Sequence, residues 1–218
     1  MSVAPDDPSA SAPTRPVRLA RKNARADLRA DGVILLSSNE ELAPYPESWN
    51  AKLAHWAAET PDRVFLTEAD GVGGRRAITY GQTLNAVRRI GEGLLHLGLG
   101  PGKPLAILSE NTIDCGLVTL AALWIGAPAS PISPPYALKA TDFAKLASVL
   151  DALSPGAIYV ADRARYGPAI RAAAKHDTPI ISANAGIEGR KTALLKDLRE
   201  TAPSEKVDRA NAEVTGDT

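Results

Sequence analysis

Three stretches carry residue types that could do chemistry. Gly98-Leu-Gly-Pro-Gly-Lys103 has the composition of a phosphate cradle, in which backbone N–H groups and a lysine hold anionic oxygens. Its order opposes that use. A helical pattern precedes it and a strand pattern comes after it, Leu97 stands where the first glycine of such a loop belongs, and Pro104 stands where Ser or Thr would reach magnesium. It reads as a turn. Gly71-Val-Gly-Gly74 lies between two strand patterns, with no helix to supply a positive dipole end, and fails in the same way. Ser109-Glu110-Asn111 is better placed, at the carboxyl end of a strand and just before a helix, where open α/β sheets bind ligands. Asn111 there serves either as a pocket edge or as the helix N-cap, with Asp114 favourable near the positive end of the dipole. Ser133-Pro134-Pro135-Tyr136 ends a second strand, and its two prolines make Tyr136 either a rigid wall of a pocket or a packing residue. The candidate pocket-edge residues are therefore Asn111, Ser133 and Tyr136.

Nothing else in the sequence assembles a reaction centre. His55, His96 and His176 fall in three separate helical patterns, read as surface or half-buried positions without an acidic or cysteine neighbour at ligand spacing. No Ser-His-Asp order, HExxH pattern or paired carboxylates can be defended, so no catalytic, cofactor-binding or metal-ligating residue is assigned.

The elements that must position these residues are legible as periodicity. Trp49, Leu53, Trp56 and Ala57 give one helical face, and Pro61 ends it. Val64–Glu68 and Arg75–Thr79 make a hairpin around the glycine-rich loop. Thr79 and Gln82 have capping-box spacing and open a helix whose stripe is Tyr80, Leu84, Val87, Gly91, Leu94 and Gly98, with Gly98 a left-handed terminator. Then the chain alternates: strand Leu105–Leu108, helix Thr112–Ile125, strand Ala129–Ile132, helix Asp142–Leu153, strand Ala157–Ala161, helix Tyr166–Lys175, strand Pro179–Ser182. One helix presents Ile113, Leu117, Leu120 and Trp124; the next presents Phe143, Leu146, Val149, Leu150 and Leu153. The fold class is α/β, a mostly parallel sheet with flanking helices and a preceding β-hairpin. From Gly186 onward there is one short amphipathic pattern, Ala193-Leu194-Leu195…Leu198, and after Thr201 the chain reads as polar loop.

Composition narrows the class. With 218 residues, 44% of them hydrophobic, the chain can bury a core in one or two domains. The longest apolar run, Cys115 to Ala127, is broken by Thr119 and Gly126 and is too short to span a bilayer. Lys and Arg total 25 against 25 Asp and Glu, so the charge balance offers nucleic acid no field to bind. Cys115 is the single cysteine, a packed thiol in an apolar helix, and the expected location is cytoplasmic. The first thirty residues are Pro/Ser/Ala-rich, then basic at Arg15, Arg18, Arg21, Lys22, Arg25 and Arg29, without the apolar run of a secretory signal. Asp6 and Asp7 disfavour a transit peptide, leaving a solvated tail.

The wording of several segments carries a resemblance. His55-Trp56-Ala57…Pro61-Asp62-Arg63-Val64-Phe65-Leu66, Ile78-Thr79-Tyr80, Leu97-Gly98-Leu99, Ala106-Ile107-Leu108-Ser109-Glu110-Asn111 and Gly126-Ala127-Pro128…Pro131-Ile132-Ser133 resemble the N-terminal subdomain of AMP-forming acyl- and aryl-CoA synthetases, the adenylate-forming superfamily. Tyr45-Pro46…His55-Trp56-Ala57, Ile107-Leu108-Ser109, Ser133-Pro134…Tyr136 and Asp142-Phe143…Lys145-Leu146 are most similar to the feruloyl-CoA synthase branch. The resemblance spans about Val17 to Lys175, and it is the order and spacing of the pieces together that make it specific.

The resemblance implies a ligase that joins an aryl or acyl carboxylate to coenzyme A with ATP and Mg2+, giving acyl-CoA, AMP and pyrophosphate. The family's phosphate loop is expected beyond a segment like Asn211–Thr218, so the chain is expected to be an N-terminal fragment, inactive alone, that binds no cofactor by itself. It then divides into 1–40, a disordered or extended basic tail; 41–190, an incomplete α/β N-terminal subdomain; and 191–218, a short helix and polar tail. The alternative is a non-catalytic interaction or scaffold module derived from such an enzyme. A weaker third reading is a nucleotide-binding α/β domain of an unrelated family. The oligomeric state is left open.

Overall fold

The computed structural model describes residues 23–41, 43–46 and 48–216. The tail residues Arg15, Arg18, Arg21 and Lys22, and Leu42 ahead of the first helix, lie outside the described residues. The chain divides into two compact units, Met1–Tyr45 and Pro46–Thr218.

In the first unit, β1 (Ala24–Leu28) and β2 (Ile34–Ser38) pair antiparallel. Gly32 turns the hairpin at φ 84°, and the Asp31 carboxylate accepts the Val33 N–H at 3.2 Å. Within the stretch assigned to the N-terminal tail there is thus a defined hairpin, with Leu28, Ile34 and Leu36 facing solvent.

The second unit begins with α1 (Trp49–Glu59), capped by the Ser48 hydroxyl. Its buried face is Asn50, Leu53 and Ala57; Trp49 is 77% exposed, so the stripe is rotated from the one expected. Asn50 takes the inward position because its amide has two acceptors waiting, the Leu123 carbonyl at 3.1 Å and the Asn211 side chain at 2.8 Å. The hairpin β3 (Val64–Ala69) and β4 (Arg75–Thr79) is as expected, its loop held by Asp70 accepting the N–H groups of Val72 and Gly74. Thr79 and Gln82 form both bonds of the capping box at the start of α2 (Tyr80–His96), and Val87, Ile90 and Leu94 are fully buried along it. Gly98 ends that helix at φ 82°.

Strands β5 (Leu105–Leu108), β6 (Ala129–Pro131), β7 (Ala157–Val160), β8 (Ile180–Ser182) and β9 (Thr192–Leu194) form a five-stranded sheet in the order β6-β5-β7-β8-β9, every pair parallel. Helix α3 (Ile113–Trp124) connects β5 to β6; α4 (Pro135–Leu138) and α5 (Ala144–Leu153) lead to β7; α6 (Arg163–Ala173) leads to β8. Two apolar layers result. Ile107, Tyr159 and Ile181 face the layer of α1, α2 and α3, while Ala106, Ile158 and Ile180 face that of α4, α5 and α6. Burial on both faces explains why β5, β7 and β8 read as continuous apolar runs.

Three details differ from the sequence reading. Thr112, not Asn111, caps α3, because its hydroxyl reaches the Cys115 N–H at 3.0 Å. Helix α6 begins at Arg163, since Asp162 accepts the Arg165 N–H at 3.0 Å. The segment from Thr192 holds strand β9, helix α7 (Leu195–Glu200) and, where loop was expected, helix α8 (Glu205–Ala212). Helix α8 buries only Val207, which is why its sequence looks uniformly polar.

Candidate functional site

The order of the sheet fixes where a site can form. From β5 the chain steps outward to β6, then returns across β5 to β7 and continues to β8 and β9. The reversal puts a crevice outside the carboxyl ends of β5 and β7, the place where open parallel sheets bind ligands. The loops leaving these strands are Ser109–Asn111 and Ala161–Asp162.

Side chains from the first turn of α6, directly after the second loop, meet a carboxylate of the first loop. Tyr166 donates its hydroxyl to Glu110 Oε2 at 2.9 Å, and Arg165 Nη2 lies 2.5 Å from Oε1. The Arg165 guanidinium also lies over the Tyr166 ring, 5.9 Å from its centre. Burial acts to raise the Glu110 pKa, but the Tyr166 hydroxyl, a backbone N–H and Arg165 together hold it below the usual carboxylate range. Burial and the bond to Glu110 push the Tyr166 hydroxyl up, so it stays a donor. The carboxylate is committed to these partners; the cluster can orient a polar ligand at the crevice, and its carboxylate is poorly placed to act as a general base near neutral pH.

The residues expected at a pocket edge are placed as follows. Asn111 is exposed and lies just outside the α3 cap. Ser133 is exposed, and its carbonyl accepts the Tyr136 N–H at 3.0 Å, starting the short turn of α4. Tyr136 is half-buried against the α5–α6 layer, with Lys145 Nζ 4.7 Å from its ring centre. All three lie beyond strand ends on the carboxyl edge of the sheet. Sequence reasoning missed Arg165 and Tyr166; the signal that could have found them was position, in the first turn of the helix directly after β7.

A second polar cluster sits at the N-terminus of α3. Arg76 reaches Glu68 at 2.8 Å and Asp114 at 3.1 Å, Arg199 reaches the same Asp114 oxygen at 2.6 Å, and Glu68 accepts the Ile113 N–H. Glu68, Arg76 and Asp114 border a cleft of about 320 Å³ that also reaches Thr112 and Tyr159. The Tyr159 hydroxyl is buried and has no hydrogen-bond partner among the described residues; burial, then Asp114, push its pKa up. No sequence signal joined Glu68, Arg76, Asp114 and Arg199, which come from four separate elements.

The remaining candidates resolve simply. Gly98 and Gly102 have positive φ, and Lys103 donates its N–H to the Gly100 carbonyl at 3.0 Å, so this segment is a turn between α2 and β5. Neither glycine-rich stretch opens a helix, so among the described residues they form no cradle for the phosphates of ATP. Among those residues no group of three or more His, Cys, Asp or Glu is placed to hold a metal ion, and no helix is long and apolar enough to cross a membrane. His55 and His176 are exposed. His96 does have an acidic neighbour, Glu92 one turn earlier, with Nε2 3.2 Å from its carboxylate.

Comparison with known proteins bears on this arrangement. A family model described as AMP-binding enzyme matches residues 53–214. The hybrid PKS-NRPS synthetase thnA of Trichoderma harzianum is 31% identical over 91 residues, 42% of this chain and 2% of that protein. Surfactin synthase subunit 1 of Bacillus subtilis (strain 168) is 30% identical over 103 residues, 46% of this chain and 3% of that protein. Among solved structures, the luciferase-like enzyme of the nonluminescent Zophobas morio mealworm superimposes with a TM-score of 0.61 at 17% identity, covering 77% of this chain and 38% of that one. The fatty acyl-adenylate ligase of L. pneumophila, solved with acyl adenylate and pyrophosphate, gives 0.52 at 16% identity over 72% of this chain and 25% of that one. The chain thus spans 2–3% of these curated relatives and 25–38% of these solved chains.

Proposed function

This chain belongs to the AMP-binding enzyme family, and from that premise we propose that it is the N-terminal part of an ATP-dependent feruloyl-CoA synthase-like ligase, inactive by itself. The observation that carries the reading is the match over residues 53–214 falling on a parallel sheet that resembles the N-terminal subdomain of adenylate-forming enzymes. In the proposed reaction an aryl carboxylate, ATP and coenzyme A, with Mg2+, give the acyl-CoA, AMP and pyrophosphate. The described residues do not fit a phosphate or magnesium site, so no step of that reaction is assigned to them.

Their proposed part is framework and pocket edge. Asn111, Ser133 and Tyr136 edge the crevice at the sheet's carboxyl ends, and the Glu110–Arg165–Tyr166 network fixes the two loops that border it. The preference for a hydroxycinnamate over a fatty acid rests on the wording around Tyr45-Pro46, Ser133–Tyr136 and Asp142–Leu146. A cytoplasmic location is proposed from the balanced charge and the single cysteine.

The test is thioester formation by the product of the whole reading frame that contains these residues, assayed against hydroxycinnamates and fatty acids with ATP and coenzyme A. Ferulate and its near relatives are expected to be turned over best. A preference for fatty acids would overturn the substrate class, and no turnover of any carboxylate would favour an interaction or scaffold module.

A further inference from the structure

Helix α8 is fastened by a carboxylate that has almost no contact with solvent. Glu92 lies in α2 and is 2% exposed. Its Oε2 accepts the Ser204 N–H at 3.0 Å and the Ser204 hydroxyl at 2.9 Å, and its Oε1 lies 3.2 Å from His96 Nε2. The Ser204 hydroxyl in turn accepts the Lys206 N–H at 3.2 Å and caps α8. Glu92 thus holds the capping residue of a helix 112 positions away.

The glycines on either side make this approach possible. A Cβ on Gly91 would stand 3.1 Å from a methyl of Val207 and 3.3 Å from one of Ile125; a Cβ on Gly93 would stand 2.7 Å from Cγ of Leu198. The side chains nearest these glycines, Val207 of α8, Ile125 at the end of α3 and Leu198 of α7, are apolar. The charged groups acting on Glu92 are His96 from its own helix and Lys206 from α8.

The other fastenings of α8 differ in kind. Arg88 and Asp208 form a bidentate pair, 3.0 and 2.7 Å, open to solvent, and Asn50 donates to Asn211 at 2.8 Å. Val207 is the one residue of the helix that is fully buried. Eight residues cannot hold a helix in water without such contacts.

We propose that protonation of Glu92 releases α8 from α2 while the sheet and its other helices stay folded, so that Ser204–Ala212 is an acid-operated latch. The ionised carboxylate accepts on both oxygens; adding a proton turns one of them into a donor among donors and leaves a buried polar group unsatisfied. It also cancels the attraction of Lys206 and His96. Burial works to raise the Glu92 pKa, but the two Ser204 bonds and these cations hold it below the usual carboxylate range. A group lowered on docking contributes stability above its free pKa, about 4.3, and loses it as pH falls through the docked value. Helix α8 is the last described helix within the stretch that matches the family model.

The test is native-state hydrogen exchange followed by mass spectrometry between pH 3 and pH 7, corrected for intrinsic rates, on the 218-residue chain. Below the free pKa, residues 204–212 should open about tenfold more per pH unit, with strands β5 and β7 unchanged. Glu92→Gln should open α8 at every pH and remove its acid step. Asp208→Asn should raise the exchange of α8 uniformly and keep the step, which separates the buried carboxylate from the surface pair. Should Glu92→Gln not fold, Ser204→Ala, which removes one of the two bonds, should move the step to higher pH. A step that persists in Glu92→Gln, that disappears in Asp208→Asn, that stays put in Ser204→Ala, or that coincides with opening of β5 and β7 would overturn the proposal.

Discussion

Arg190 shows how much one side chain can hold at a place the sequence marks only as loop. Its guanidinium donates to four carbonyls: Ile170 at 3.0 Å, Ala174 at 3.3 Å, Lys175 at 2.5 Å and Thr178 at 3.2 Å. Ala174 is the C-cap of α6, the Ile170 carbonyl in its last turn also accepts the Ala174 N–H at 3.1 Å, and the charge complements the negative end of the helix dipole. Burial lowers the Arg190 pKa, yet an arginine stays charged there. Arg190→Ala should cost about 2–3 kcal/mol in urea unfolding, and Arg190→Lys should recover only part of it, because one ammonium cannot span four acceptors. Tyr166→Phe is a milder change at the crevice. It removes a single hydrogen bond to Glu110 and should cost about 1 kcal/mol. Because Glu110 is lowered on folding, its contribution is full above about pH 4.3 and is lost as pH falls through the folded value. In Tyr166→Phe that acid-sensitive part should shrink, which unfolding at pH 3 and pH 7 would reveal; an unchanged difference would contradict the bond's role.

At the scale of elements, the glycines of α2 separate two costs. Gly93→Ala gains about 1 kcal/mol of helix propensity but drives a Cβ against the Cγ of Leu198 at 2.7 Å, and an overpacking cost of about 1–3 kcal/mol should outweigh that gain, for a net loss of up to about 2 kcal/mol read as a lower midpoint in urea. Gly98→Ala meets no atom within 4 Å yet must hold φ near 82°, so it should cost about 1–2 kcal/mol from conformation alone. Comparing the two asks whether α7 is docked as described. The same helix shows what was legible in the sequence. Thr79 with Gln82, the stripe through Val87 and Leu94, and the terminator Gly98 are local patterns, and each appears where its spacing placed it. Strands β5, β7 and β8 were equally plain, because burial on both faces demands unbroken apolar runs. Helix α8 was hidden because tertiary bonds from Glu92, Arg88 and Asn50 replace the apolar face that periodicity detects. The inward turn of Asn50 on α1 was hidden for the same reason, since its acceptors lie 73 and 161 positions away. That Asn111, Ser133 and Tyr136 follow strand ends was readable from the strand patterns, but the partnership of Glu110 with Tyr166, 56 positions apart, required the sheet order.

For the whole molecule, the sheet joins membership in the AMP-binding enzyme family to a carboxyl edge where loops from β5, β6 and β7 gather. Both edges of the sheet, β6 and β9, are strands of only three residues, short enough to limit edge-to-edge pairing. The central proposal is that these 218 residues serve as framework and do not by themselves handle ATP. Ferulate-dependent exchange of pyrophosphate into ATP, measured for the isolated chain and for the product of its whole reading frame, tests this most directly. The account predicts exchange by the whole product and none by the isolated chain; exchange catalysed by the isolated chain would contradict it.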